Sequence, residues 1–493
     1  MKSLKEMINP LSTSFISQCK TLVGADNVIF DPERLRVYEC DALAALRALP
    51  LMVVLPETVE QVQSLLRLCH QHNVPIVARG AGTGLAGGAL PVVNGIVLGL
   101  SKMHHILKID SHNRTAQVQP GVRNLAISEA AKPYGLYYAP DPSSQIACTI
   151  GGNIAENSGG VHCLKYGLTV HNVLQIKLVT IEGELLTLGG NGLDASGYDL
   201  LAIAIGSEGL LGIVVEATVR LLPIQPCTQV LLAAFNSIEQ AGNAVAAIIA
   251  GRLVPAGLEL MDNAAIRVTD AFVHANYPLD AEAILLCELD GLSEQVEADV
   301  AKATAILQAN GAVEIRTAKD EKERKLFWAG RKAAFPAVGR ISADYYCMDG
   351  TIPRKHLAKV LTQINQYAND LGLKVVNVFH AGDGNLHPLI LYDASQPGEY
   401  ERAEQLGGQI LELCVAVGGS ITGEHGVGVE KLNQMCVQFS TAELQQFERL
   451  KTAFDSKNLL NPGKVIPSLH RCAEFGQMHI HNGQLPFPEL ERF

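Results

Sequence analysis

The sequence predicts an α+β protein of two or three domains, on three observations. The chain has 493 residues, more than one hydrophobic core supports. Its apolar residues switch repeatedly between helical spacing and period-2 alternation. Gly-rich loops recur between those segments, in 78–91, 140–167 and 206–209, which suits a long ligand gripped at several points.

The elements follow in order. "PETVEQVQSLLRLCHQHN" (56–73) sets Val59, Val62, Leu65, Leu66 and Cys69 on one helical face, with Pro56 near its start, and "VPIVAR" reads as a buried strand. "ARGAGTGLAGGALP" (78–91) then carries the GxGxxG spacing of a nicotinamide dinucleotide site. In such a site the third glycine opens a long helix whose N-terminus holds the pyrophosphate. Here Gly87-Gly88, Pro91 and Gly95 stand where that helix should run, and "GIVLGL" and "HHILKID" read as further strands. Asp110 imitates the ribose-binding acid, but the helix is missing. Two readings stay open: a nest of backbone N–H groups from Gly80 to Gly84 for diphosphate oxygens, or a turn without a ligand.

The stretch 140–167 is too polar and Gly-rich for a core element and long for an idle connection. "VLQIKLVTIEGELLTLG" (173–189) reads as a hairpin turning at Glu182-Gly183, and Gly206-Ser207-Glu208-Gly209 precede an alternating strand from Val214 to Leu222. Beyond "LLPIQPC", "TQVLLAAFNSIEQAGNAVAAII" reads as strand then helix, "ILLCELDG" as a strand and Ser293 to Asn310 as a helix. That pattern predicts an antiparallel sheet covered on one face.

"KVVNVFHAGDGNLHPLILYD" (374–393) places two apolar strands around Ala-Gly-Asp-Gly-Asn, a hairpin that sets His380 and His387 nearly opposite each other. "GGSITGEHGVG" (418–428) adds Glu424 and His425 on a loop that glycines allow to approach closely. Two histidines and a carboxylate form a common catalytic metal set with a position open for substrate oxygen. The plainer alternative is a pair of hydrogen-bonded surface histidines and a solvated Glu424.

Composition narrows the function. Lys plus Arg number 39 and Asp plus Glu 50, a net charge of −11, which argues against nucleic acid or an anionic membrane as the partner. The 11 cysteines are scattered without any CxxC, so the sequence reads as neither a disulfide framework nor an iron-sulfur cradle, and a reducing compartment is expected. No leader-like start and no uncharged apolar run of about 18 residues occur, so the chain is expected to be cytoplasmic, with any membrane attachment lent by partners.

The ordered set "VARGAGTGLAGG", "APDPSS", "TIGGNIAENSGG" and "GSEGLLGI" resembles the FAD-binding domain of the vanillyl-alcohol oxidase and p-cresol methylhydroxylase superfamily. The resemblance implies a two-subdomain FAD-binding domain, an antiparallel-sheet cap and a C-terminal segment returning to the flavin. It assigns cofactor contacts to Arg79, Gly80, Ala81, Gly82, Thr83, Gly84, Pro140, Asp141, Ser143, Thr149, Gly152, Asn153, Asn157, Gly159, Gly206, Glu208, Gly209 and Ile213. Some relatives bond the flavin through a histidine of the first loop. None occurs between residues 73 and 103, so non-covalent FAD is expected.

"HAGDGNLH" and "GEHGVG" are similar to signatures of the flavin-dependent D-2-hydroxy-acid dehydrogenases, which act on D-lactate, D-2-hydroxyglutarate or glycolate. Carried over by motif, His380, His387 and Glu424 become ligands of a divalent cation, zinc, and His425 the catalytic base. "FWAGRKAAFP" resembles the segment supplying an arginine for the substrate carboxylate, here Arg331. Relatives acting on dicarboxylic acids carry a lysine where Cys347 stands, so a small monocarboxylate is favoured.

The resemblance implies oxidation of glycolate to glyoxylate, or of D-lactate to pyruvate, by hydride transfer to FAD. Electrons would pass through an iron-sulfur subunit and a second FAD-binding-type subunit to quinone. A non-catalytic FAD-binding subunit and a D-lactate or D-2-hydroxyglutarate dehydrogenase are the alternatives. The expected division is 1–226 for the FAD-binding domain, 227–418 for the substrate cap, 419–467 for a segment completing the active site and 468–493 for a tail that docks a partner.

Overall fold

A computed structural model describes residues 11–192 and 197–467; the expected docking tail, 468–493, lies outside them. The first sheet takes β1 (Val28–Ile29), β2 (Met52–Val54), β3 (Ile76–Arg79) and β4 (Ile96–Gly99) in the order β1-β2-β4-β3. β2 and β3 both run parallel to β4, as the crossover helix Val59–His72 requires. That helix starts on a capping box between Thr58 and Gln61 and buries Val62, Leu65, Leu66, Leu68 and Cys69. Each large aliphatic side chain so buried stabilises by about 1.5–3 kcal/mol, so the sheet edge that presents the first Gly-rich loop is firmly backed.

The second sheet is built from β5 (Ile106–Asp110), β6 (Thr115–Val118), β8 (Val173–Val179), β9 (Leu185–Gly189) and β10 (Ile213–Arg220), in the order β5-β6-β10-β8-β9. A short pair, β7 (Leu136–Tyr137) with β11 (Leu222–Pro223), lies beside it. The β8–β9 hairpin turns where expected, at Glu182-Gly183. β10 does not alternate between core and solvent: it is central in its sheet and buried from Ile213 to Val219. The 140–167 stretch is not wholly loop. It contains helices Ile150–Glu156 and Cys163–Tyr166.

The remaining eight strands form one antiparallel sheet. They are β12 (Cys227–Phe235), β13 (Gly257–Asp262), β14 (Ala283–Gly291), β15 (Glu314–Thr317), β16 (Asp344–Cys347), β17 (Gly350–Thr351), β18 (Lys374–His380) and β19 (Asn385–Tyr392). Their order is β15-β12-β14-β13-β18-β19-β16, with β17 on β19.

This sheet is covered on both faces, not one. Leu231, Ala233, Phe235, Leu285 and Cys287 pack with residues of helices Ile238–Ala250, Ser293–Ala309, Leu357–Asp370 and Glu399–Ala416. Val230, Leu232, Ala234, Ile284 and Leu286 pack on the other side with residues of Asn263–Val273, Glu321–Lys332 and Ala334–Val338. The unbroken apolar runs "VLLAAF" and "AILLC" are the signature of strands buried on both faces.

After helix Thr441–Phe454 the chain returns to the first sheet. Ile76 donates its N–H to Leu459, and Asn461 donates to Ile76, so Leu460 bridges β3. Among the described residues no helix is long and apolar enough to cross a membrane.

Candidate active site

The sequence-predicted cofactor loops meet around one cavity of about 390 Å3. Its wall includes Arg79, Gly80, Ala81, Gly82, Thr83 and Gly84 from the first loop, Ser143, Thr149, Gly152 and Asn153 from the second, and Glu208, Gly209 and Ile213 from the third. In the first loop Gly80 and Gly82 leave no room for a side chain. Gly82 has φ +71°, and a Cβ there would run into the Arg79 guanidinium. Arg79 is itself nearly buried, donates from Nη1 to the Cys40 carbonyl at 2.7 Å and lies over Tyr38, fixing the loop's base. Burial pushes its pKa below the usual arginine value, opposed by Asp41. Thr149 Oγ1 and Asn153 Nδ2 are buried without protein partners on this wall. Unpaired buried polar atoms are costly, and both of these can donate to an acceptor placed in the cavity.

Other predicted contacts stand behind the wall. The Pro140 carbonyl accepts from Asn124, and Asp141 is held at 2.8 Å by His162. Asn157 ends helix Ile150–Glu156 in the left-handed conformation and caps Val170 N–H at 2.9 Å. Gly206 donates its N–H to Ile154. Gly159 faces the second cluster: a Cβ there would lie 2.7 Å from Glu424 Oε2. Glu208 lines the cavity, but its carboxylate accepts Val427 N–H at 2.6 Å and Gly428 N–H at 2.8 Å, so it fastens the 418–428 loop to the third loop.

The β18–β19 hairpin brings the two histidines together along a diagonal. His380 pairs with Asn385 and His387 with Val378, so the imidazoles are two residues apart on the same face, not opposite, with ring centroids 5.0 Å apart. Glu424 Oε1 lies 3.4 Å from His380 Nε2 and 3.3 Å from His387 Nε2. A tetrahedral ion with ligand bonds of about 2.0–2.2 Å separates its ligand atoms by roughly 3.3–3.6 Å. Glu424 Oε1 therefore stands at ligand spacing from both imidazole nitrogens, all three ligand atoms lie within 4.8 Å of one another, and the donor set fits a divalent cation with an open position.

Behind His380, Glu259 of β13 accepts from Nδ1 at 2.8 Å and from Arg331 Nε at 2.8 Å. Such a carboxylate fixes the imidazole tautomer and turns Nε2 toward an ion. Burial alone would raise the Glu259 carboxyl, but His380 and Arg331 outweigh it and hold its pKa low. Burial likewise opposes ionisation of Glu424, and His380, His387 and His425 together bring it to about 2.

His425 stacks on His387, with centroids 5.0 Å apart and planes 4° from parallel. Its Nε2 is 4.0 Å from Glu424 Oε1, while Nδ1 is buried without a partner. Burial pushes its pKa down to about 4, opposed by Asp349 and reinforced by His387. The imidazole is therefore neutral near pH 7 and free to accept a proton. His387, Glu424 and His425 line the same cavity as the glycine loops.

Arg331 is buried on helix Glu321–Lys332, with Nη2 unpaired, and stands behind the cavity wall. The neighbouring Lys332 is exposed and on the wall. Cys347 is buried in the core beside the eight-stranded sheet. Sequence reasoning missed Glu259, Lys332 and Asp349. The last, with His387 and His425, makes a second geometrically possible metal group. Its oxygens are already taken by Asn385, Thr422, Lys431 and the N–H groups of Gly423, Glu424 and His425, so it is a poor ligand.

The family model described as FAD binding domain matches residues 50–189, and that of FAD linked oxidases, C-terminal domain, matches 224–465. The chain is 60% identical over 481 residues to glycolate oxidase subunit GlcD of Escherichia coli (strain K12), covering 98% of this chain and 96% of that one. It is 40% identical to glycolate oxidase subunit GlcD of Bacillus subtilis (strain 168), over 87% and 92% of the two chains. A D-lactate dehydrogenase of Archaeoglobus fulgidus is 34% identical, over 90% and 97%. Among solved structures, p-cresol methylhydroxylase superposes with a TM-score of 0.80 at 19% identity, covering 93% of this chain and 97% of that chain. 4-Ethylphenol oxidase from Gulosibacter chungangensis gives 0.78 at 17% identity, covering 94% and 99%. At these identities the structural likeness speaks for the fold.

Proposed function

Because the chain belongs to the FAD-linked oxidases that include the glycolate oxidase D subunits, we propose that it oxidises glycolate to glyoxylate with non-covalently held FAD. The observation that carries the reading is a single cavity whose wall joins the side-chain-poor loops to His387, Glu424 and His425.

The reaction removes the hydroxyl proton and a hydride from the carbon that bears it. When bound, FAD supplies the hydride acceptor and the divalent cation, zinc, the positive charge that acidifies the hydroxyl. His380, His387 and Glu424 hold that charge, and Glu259 keeps His380 turned toward it. His425 takes the hydroxyl proton at Nε2, the ring atom facing the ligand set. Lys332, exposed on the wall, meets the substrate carboxylate, and Arg331, held on Glu259 just behind the wall with Nη2 unpaired, adds positive charge to that end of the cavity. Both charges favour a 2-hydroxy acid anion. Glycolate is preferred to D-lactate on the similarity to the glycolate oxidase subunits. One methyl group changes affinity by only about 1–3 kcal/mol in a pocket.

Anaerobic titration of the yellow protein with glycolate, D-lactate, L-lactate and D-2-hydroxyglutarate tests the proposal. Glycolate should bleach the flavin most efficiently; bleaching by D-2-hydroxyglutarate alone would overturn the assignment. The relatives' description as subunits supports a multi-subunit complex. Within it, an iron-sulfur subunit and a second FAD-binding-type subunit would carry electrons toward quinone, with residues 468–493 docking a partner. Deleting that tail should release the partners from co-purification and leave flavin bound.

A further inference from the structure

Glu424 and His425 sit on a segment, 420–431, without regular secondary structure. Such a segment needs another source of rigidity to hold two reacting side chains within tenths of an ångström. That source is a fully buried ion pair beneath it.

Asp349, in the connection between β16 and β17, and Lys431, just before helix Leu432–Gln438, have no exposed side-chain surface and meet at 3.0 Å. Asp349 accepts three consecutive backbone N–H groups: Gly423 at 3.0 Å through its own carbonyl and 3.1 Å at Oδ2, Glu424 at 3.1 Å at Oδ1, and His425 at 2.8 Å at Oδ2. It also accepts Thr422 Oγ1 at 2.7 Å and Asn385 Nδ2 at 2.8 Å, the latter from the residue beginning β19, two before His387. Lys431 Nζ closes the far side by donating to the Gly426 carbonyl at 2.9 Å and to Thr422 Oγ1 at 3.3 Å. Successive N–H groups wrapped round an anion form a nest, here filled by the protein's own carboxylate.

We propose that the Asp349–Lys431 pair is the template on which the 422–426 loop folds, making both positioning residues that aim Glu424 at the two histidines and His425 at the substrate. Asp349 fixes the N–H side and Lys431 the carbonyl side, so the direction of both side chains is set from one buried point. Asn385 ties that point to the His387 strand, and Glu208 ties the next two residues to the cofactor loops. The inference rests on the reading of His380, His387 and Glu424 as cation ligands.

The test is Asp349→Asn in the full-length flavoprotein, with Lys431→Gln and the double variant. Asparagine keeps the shape but turns one acceptor into a donor facing N–H groups. Expected are retained flavin, a 10–100-fold faster loss of zinc to a chelator, a comparable fall in kcat, and faster amide exchange in the peptide spanning 421–431. The double variant should lose little more than Asp349→Asn alone, since both act on one loop arrangement. Should Asp349→Asn not fold, Thr422→Val, which removes one of the bonds, is expected to show the same pattern at a few-fold level. Wild-type zinc retention, kcat and exchange in a folded variant would overturn the inference. Failure of the wild-type protein to bind zinc would instead overturn the ligand reading, while exchange at 421–431 still reports on the template.

Discussion

Replacing Glu259 by glutamine separates the cation reading from a merely structural one. Glu259 is 1% exposed and holds His380 Nδ1 and Arg331 Nε with one carboxylate, each at 2.8 Å. Glutamine keeps the volume but removes the charge and turns one oxygen into an N–H₂ donor. His380 then loses the acceptor that fixes its tautomer, and loss of such a supporting group costs about 10–100-fold in metal affinity, or about 1.4–2.7 kcal/mol. Arg331 is left buried without its counter-charge, and breaking one side of a buried pair destabilises by about 3–5 kcal/mol. Competition of the purified flavoprotein against a chromogenic chelator reads the first effect, and its thermal midpoint reads the second. A variant with zinc affinity within twofold of wild type would refute the idea that Glu259 orients His380 toward a cation.

Other expectations follow from the same geometry. His425→Ala should keep its flavin and lose about 10²–10⁴-fold in the rate of flavin reduction by glycolate, read by stopped-flow absorbance. Because burial pushes the His425 pKa down to about 4, kcat/KM should stay level as pH falls from 8 to about 5 and drop only near 4; a limb at the ordinary histidine value of about 6.5 would contradict this. The sign for stability is the same: the unfolded chain takes up that proton first, so His425's contribution is full above about 6.5 and lost as pH falls toward 4, measurable by denaturant titration across that range. Gly159→Ala places a Cβ 2.7 Å from Glu424 Oε2 and 2.9 Å from Leu168, and should lower flavin reduction at least tenfold with FAD content unchanged.

Much of this architecture is legible in the sequence, for identifiable reasons. The helix Val59–His72, the β8–β9 hairpin and the β18–β19 hairpin are local: periodicity and turn residues decide them. The absence of a helix after the first Gly-rich loop is likewise written in Gly87, Gly88 and Pro91. The register of the His380/His387 hairpin is not, because the number of residues taken by the turn shifts the pairing by two and converts an opposed pair into a diagonal one. Glu259 and Asp349 are illegible for a different reason. They act on residues 121 and 76 positions away in the chain, and "GLELMD" and "CMDGT" read as a strand and a turn. Two-sided burial of the eight-stranded sheet could have been read from its unbroken apolar runs. The distinction between Arg331 and Lys332 could not, since one residue of helical rotation decides which faces Glu259 and which the cavity.

The central claim is that one cavity joins a flavin cradle to a cation set that activates a 2-hydroxy acid. Anaerobic single-turnover reduction by glycolate tests it most directly, comparing the zinc-loaded protein, the chelator-stripped protein and the stripped protein with zinc restored, all at equal FAD content. Rapid bleaching is expected in the first and third and a rate at least a hundredfold lower in the second. Equal bleaching in all three, or none in any, would contradict it.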